Sequence, residues 1–285
     1  MNKPFAVISP FEAAGPAVPG RLQRTRGAAR IAFKHADGRT RLDALFQSGA
    51  AKIRLPNVAA GQSPQAVLIN SAGGLTGGDR MSVAMDMAAQ TCASVTTQAC
   101  EKIYRSASGE TEVATTLTLA AGARLNWLPQ ETILFDGGRL RRRLEADLAP
   151  GATLLVLEAT IFGRAAHGET LAAGLFADRW RIRRDGRLVF AEDLRFDWAH
   201  AALLGRPAVL AGGSAMATVL LITAEPERHL ERLRHIIGPA GGASAWNGKL
   251  LARVVTEGGA ALRRLLLPAL NKLLDGAALP KIWLS

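Results

Sequence analysis

The chain has 285 residues, 48% of them hydrophobic, enough to bury about three quarters of its unfolded surface, which excludes long disorder and leaves one or two folded domains. Its formal charge is +11, from 28 arginines and 7 lysines against 24 acidic residues; the excess attracts nucleic acid, an anionic membrane or an acidic protein without choosing among them, although arginine suits forked contacts with carboxylates. An aromatic content of 5%, with no basic stretch interleaved with stacking side chains, speaks against nucleic acid, and the lack of a long uncharged apolar run or secretory segment makes a soluble, cytoplasmic chain the expectation.

In chain order, residues 1–20 carry Pro4, Pro10, Pro16 and Pro19 without sustained periodicity and are expected to form a flexible arm, with 21–285 as a single domain. Segments 29–33 and 40–46 flank Asp37-Gly38, and 179–183 and 188–192 flank Asp185-Gly186. Each is a hairpin signature, because glycine tolerates the positive φ of a tight turn. The apolar runs 67–70, 115–119, 154–158, 215–223 and 250–256 read as further strands. Superposing Ala93, Ala123 and Ala152, in steps of 30 and 29 residues, aligns TCASVTTQ, AGARLNWLPQ and PGATLLVLE. Each is a small-residue corner followed by a strand, as expected when strands stack in successive layers. Cys92 and Cys100 are spaced as neither a zinc knuckle nor a CxxC pair and are expected to be buried free thiols.

Two helices follow. In 225–237, Pro226 suits a first turn, Leu230, Leu233, Ile236 and Ile237 make one stripe, and Gly238-Pro239 is the stop. In 260–274 the run is interrupted by Pro268, which removes a donor and is expected to kink or split the helix. Leu265, Leu266 and Leu267 are consecutive there. They point around the circumference, so at least one is expected to be exposed or to contact a partner. No βαβ alternation occurs, which disfavours a doubly wound sheet. The expected class is mainly β, with two α-helices in the C-terminal third.

The segment VLINSAGGLTGGDR, 67–80, joins an apolar strand to two glycine pairs and an acid. No Lys-Ser or Lys-Thr and no helix follow it, so it reads as a sharp turn and not a phosphate cradle. No GxSxG elbow accompanies His167, no HExxH occurs, and the adjacent Glu192 and Asp193 diverge on a strand. An uncharacterised hydrolase and a basic β-rich nucleic-acid-binding module are the alternatives to a non-enzymatic scaffold.

INSAGGLTGGDR (69–80), TTQACEKIYRS (96–106), WLPQETILFDGGRLRR (127–142), IFGRAAHGE (161–169) and LPKIW (279–283) resemble, in order and spacing, the signature blocks of the UreD (UreH) family of urease accessory proteins. Residues 1–20 and 203–214 match poorly. The resemblance implies a β-helix-like stack of strands with two helices and no catalytic activity. It also implies a chaperone that joins UreF and the GTPase UreG on apo-urease, contacts urease itself, and passes nickel through a tunnel to the active site, so that nickel(II) is a transient passenger and no cofactor is tightly bound. UreF is then the first candidate partner for Leu265, Leu266 and Leu267.

Nickel(II) binds histidine and thiolate firmly, whereas carboxylate, hydroxyl and water release it. His35, His167, His200, His229 and His235 are dispersed in sequence, which argues against a store. Asp79, Thr96, Thr97, Glu131, Asp136, His167 and Glu169 lie in the family-like blocks and have the chemistry of a transient path. Each also suits a hydrogen-bonded turn or strand, and the sequence leaves both roles open. Glu169 leads the transfer candidates, followed by His167, Asp79 and Glu131, because glycines and alanines around it leave room for a cavity.

Overall fold

The computed structural model describes residues 23–164, 168–169, 171–200 and 204–284; the 1–20 arm and His167 lie outside them. Its strands are β1 (Arg26–Ala36), β2 (Arg39–Gly49), β3 (Ala51–Arg54), β4 (Gln65–Asn70), β5 (Arg80–Met87), β6 (Cys92–Thr97), β7 (Glu101–Ile103), β8 (Thr111–Leu119) and β9 (Arg124–Trp127), then β10 (Thr132–Leu134), β11 (Arg139–Leu148), β12 (Thr153–Phe162), β13 (Leu175–Arg184), β14 (Arg187–Asp197), β15 (Ala215–Ile222), β16 (Gly241–Trp246) and β17 (Lys249–Thr256). Both expected hairpins form. Asp37 and Gly38, at φ 51° and 70°, turn β1 into β2, and Asp185 and Gly186, at φ 52° and 73°, turn β13 into β14. Two successive positive φ values match the right-handed twist of the flanking strands.

From β4 to β13 the chain alternates between two sheets. A seven-stranded sheet has the order β14-β13-β11-β8-β5-β1-β2, and a ten-stranded sheet contains the path β16-β17-β15-β12-β9-β6-β4-β3. The central pairs are parallel, so each coil lays one strand on each sheet. This is the expected β-helix-like stack. Cys92 pairs with Arg124 and Arg124 with Thr153, steps of 32 and 29 residues. The superposed alanines thus have the second step in register and the first two residues short. Antiparallel strands finish both sheets.

The hydrophobic core lies in two layers. Ile31, Phe33, Met85, Leu117, Leu144 and Trp180 pack between the sheets, while Leu157, Val219, Leu233, Leu262, Leu270 and Trp283 fill the space between the larger sheet and the helices. β12 and β15 are covered on both faces, which is why they read as continuous apolar runs and not as alternations. Helix α1 (Leu230–Ile237) follows a 3-10 turn at Pro226–His229 and stops at Gly238. Helix α2 (Gly259–Leu273) runs unbroken through Pro268, against the expectation of a split. Pro268 and Arg264 are both exposed, so the carbonyl that loses its donor faces water. Among the described residues no helix is long and apolar enough to cross a membrane.

Candidate functional site

The glycine-rich corner is closed by Asp79. Its Oδ1 accepts the Thr25 amide at 2.7 Å and its Oδ2 the Thr76 amide at 2.8 Å, and the residue is only 3% exposed. A Cβ on Gly77 would lie 1.9 Å from Ser106 Oγ and 2.3 Å from the Ser108 carbonyl oxygen. The bare backbone therefore lets the second block of sequence pack onto the first.

Beside this corner a cavity of about 270 Å³ enters between the sheets, from Asn70, Gln98 and Glu101 at one end to Arg142 and Glu158 at the other. Its wall is polar where β6, β7 and β10 contribute. Asn70 Nδ2 donates to both Glu101 carboxylate oxygens at 3.0 and 3.1 Å, and Thr97 Oγ1 accepts the Gln130 amide at 2.9 Å. Burial pushes the Glu101 carboxyl above the usual carboxylate range. Burial, then the neighbouring Glu131 carboxylate, pushes the Cys100 thiol up to about 11.

Gln130 and Thr132 line this cavity, and Glu131 between them does not. Its carboxylate instead accepts hydrogen bonds from Cys100 Sγ and Arg263 Nη1, each at 3.4 Å. Thr96 is fully buried. Asp136 accepts the Ala172 and Ala173 amides at 2.8 and 3.0 Å, which hold its carboxyl below the usual range, and pairs with Arg105. Glu169 accepts three hydrogen bonds from Arg164, from its amide, Nε and Nη2, at 3.1, 3.0 and 2.9 Å. The Arg164 guanidinium, 4.4 Å from the centre of the Phe135 ring, holds the Glu169 carboxyl below the usual range.

Asp79, Glu131 and Glu169 are thus held by three separate sets of donors. Among the described residues no three His, Cys, Asp or Glu side chains are arranged to hold a metal ion. On α2, Leu266 is 1% exposed and belongs to the outer core, while Leu265 and Leu267 are half-buried against it. None of the three is fully exposed, because α2 packs on α1, β15 and β17 together.

The inner end of the cavity holds a group that the motif reading passed over. Arg142 donates to Glu158, to Asp178 and, at 3.4 Å, to Thr132 Oγ1, while Trp127 Nε1 donates to Glu158 at 2.9 Å. All three charged side chains are at most 7% exposed. Burial pushes the Glu158 carboxyl up against the pull of Arg142, and the two carboxylates hold Arg142 protonated despite burial. The signal was the parity of β11: Arg142 shares the inward face of Leu140 and Leu144.

Residues 25–284 match the family model described as UreD urease accessory protein. The Urease accessory protein UreD of Rhizobium etli is 52% identical over 264 residues, covering 92% of this chain and 96% of that protein. The protein of the same description from Agrobacterium fabrum is 51% identical over 265 residues, with 93% of each chain covered. That of Brucella suis is 50% identical over 270 residues, covering 93% and 96%.

Proposed function

The chain belongs to the UreD family of urease accessory proteins, and from that membership we propose that it is a non-catalytic chaperone of urease maturation, working with UreF and the GTPase UreG on apo-urease and carrying nickel as its cargo. The observation that carries this reading is identity of about half over almost the whole chain.

The polar part of the wall of the cavity between the sheets supports a conduit. Oxygen and amide groups of Asn70, Thr97, Gln98 and Glu101 line it, and such donors exchange nickel readily. Cys100 is the soft donor on that wall. With burial and Glu131 pushing its thiol up to about 11, the thiolate that would hold the ion costs more to form than at an ordinary cysteine.

A strain that lacks this protein but expresses the urease subunits is expected to accumulate apo-urease in normal amount, with little nickel and little activity. Metal analysis of purified urease is the measurement, and full nickel content there would overturn the proposal.

For Glu169 the transfer role and the Arg164 pair make separable predictions. The pair contributes above the ordinary glutamate pKa of about 4.3, and its contribution is lost as pH falls through the depressed value. Glu169→Gln removes that contribution but keeps the shape. Because the Arg164 side chain is 40% exposed and water screens the pair, the melting temperature at neutral pH is expected to change little. Activation at limiting nickel is expected to fall and to recover partly in excess nickel. Normal activation at limiting nickel would remove Glu169 from the path.

A further inference from the structure

The outer face of the seven-stranded sheet is crossed by a groove of about 630 Å³. In register across it run Ser82, Ala114, Arg143, Arg179 and Asp193, and beside them Arg80, Glu112, Arg141, Ala177 and Arg195. Ser82, Ala114 and Ala177 form a low floor, and around it five arginines of the outer face stand against two carboxylates, Glu112 and Asp193, the buried Arg142 and Asp178 lying beneath.

The cations there are imperfectly matched. Arg80 reaches Glu112 at 3.4 Å, Arg141 reaches Glu110 at 2.7 Å, and Arg179 shares Asp193, at 3.6 Å, with Arg181. Arg143 is exposed, directly opposes Arg179 on the neighbouring strand, and has no ion-pair partner among the described residues. Like charges placed opposite one another on a sheet destabilise it, so this pair is retained at a cost that an arriving carboxylate would relieve.

We propose that this groove is a docking surface for an acidic segment of a partner protein, with Arg143 and Arg179 together receiving its carboxylates. Glu112 and Asp193 within the groove repel a uniformly anionic backbone but accommodate a segment of mixed, mainly acidic side chains. Among the described residues no aromatic side chain lines the groove on which bases could stack, as single-stranded nucleic acid requires. A concave, arginine-walled channel also fits a chain better than it fits a flat bilayer. The proposal does not rest on the nickel reading.

The test measures binding of a fluorescent peptide of about a dozen residues, mainly Glu and Asp, to the full chain at about 0.15 M salt, where exposed charges more than about 8 Å apart are screened. Arg143→Glu/Arg179→Glu is expected to weaken binding at least tenfold. Arg187→Glu/Arg232→Glu changes the net charge equally, at exposed positions outside the groove, and is expected to bind within about twofold of the unaltered chain, since a distant charge acts only through the screened field. Arg143→Ser alone, which cannot introduce new repulsion, is expected to give a smaller loss of binding with an unfolding midpoint that is not lowered, since it also relieves the repulsion from Arg179. No binding, or equal losses in both double variants, would overturn the proposal. So would tighter binding of oligo-dT or of phosphatidylserine vesicles that is lost in Arg143→Glu/Arg179→Glu. The assay uses neither nickel nor urease, so its failure leaves the chaperone reading standing.

Discussion

Arg142→Met is expected to destabilise the fold by about 3–5 kcal/mol at neutral pH, the range for removing one partner of a buried ion pair. The arginine ties together β11, β12 and β13 and so bridges the two sheets. Methionine fills much of the same volume but leaves Glu158 and Asp178 buried without their cation. Glu158, whose carboxyl burial already pushes up, would then take up a proton well above its unfolded pKa of about 4.3. A carboxyl raised in the folded state penalises stability above its unfolded pKa, and the penalty grows with pH until the folded value is passed. Urea unfolding should therefore find a larger deficit at pH 8 than at pH 5.5. Removing all three charges together with apolar replacements should recover much of the loss, because the burial cost disappears with the charges. A deficit that is small and independent of pH would mean that water reaches the network and screens it.

How far such a network could be foreseen depends on how local its determinants are. Asp37-Gly38 and Asp185-Gly186 declare their hairpins because turn chemistry is settled within a few residues. The buried runs of β12 and β15 are equally plain. Sheet order is not, since Gln65 pairs with Ser94 and Ser94 meets Asn126 only after the intervening strand has crossed to the other sheet. The superposed alanines found the repeat but missed the 32-residue step, because an alanine-rich corner looks alike when shifted by two. The carboxylates of the family-like blocks were visible as residues and not as roles. Asp79 is fixed by the amide of Thr25, 54 residues away, and Asp136 by those of Ala172 and Ala173. A donor that arrives from so far along the chain leaves no mark beside the acid it satisfies. The split expected at Pro268 does not form for a related reason: its effect depends on whether its face of the helix meets water.

Trp283→Ala is expected to cost about 3–5 kcal/mol, the range for truncating a buried tryptophan. The residue is fully buried, its Nε1 donates to the Leu128 carbonyl at 3.0 Å, and the Arg263 guanidinium lies 4.8 Å from the centre of its ring. Arg263 in turn donates to the carbonyls of Ile282 and Trp283 at 3.2 and 3.0 Å and to Gln130 Oε1 at 2.8 Å. One arginine on α2 therefore clamps the C-terminal turn and the wall of the inner cavity together. Truncation leaves a void and frees the last turn, so Arg263 loses two acceptors and Gln130 and Glu131 lose a fixed partner. Trp283→Phe keeps most of the packing but leaves the Leu128 carbonyl without its donor, and the loss should be smaller, about 1–3 kcal/mol. The order of unfolding midpoints should be unaltered chain, Trp283→Phe, Trp283→Ala. If the proposed conduit runs through this cavity and its wall depends on the clamp, activation of urease at limiting nickel should fall in Trp283→Phe at temperatures well below its unfolding midpoint, where the protein is still folded. If both variants unfold near the unaltered chain, the C-terminal turn only rests on the helix layer, and Arg263 must be held by Gln130 and Glu131 alone.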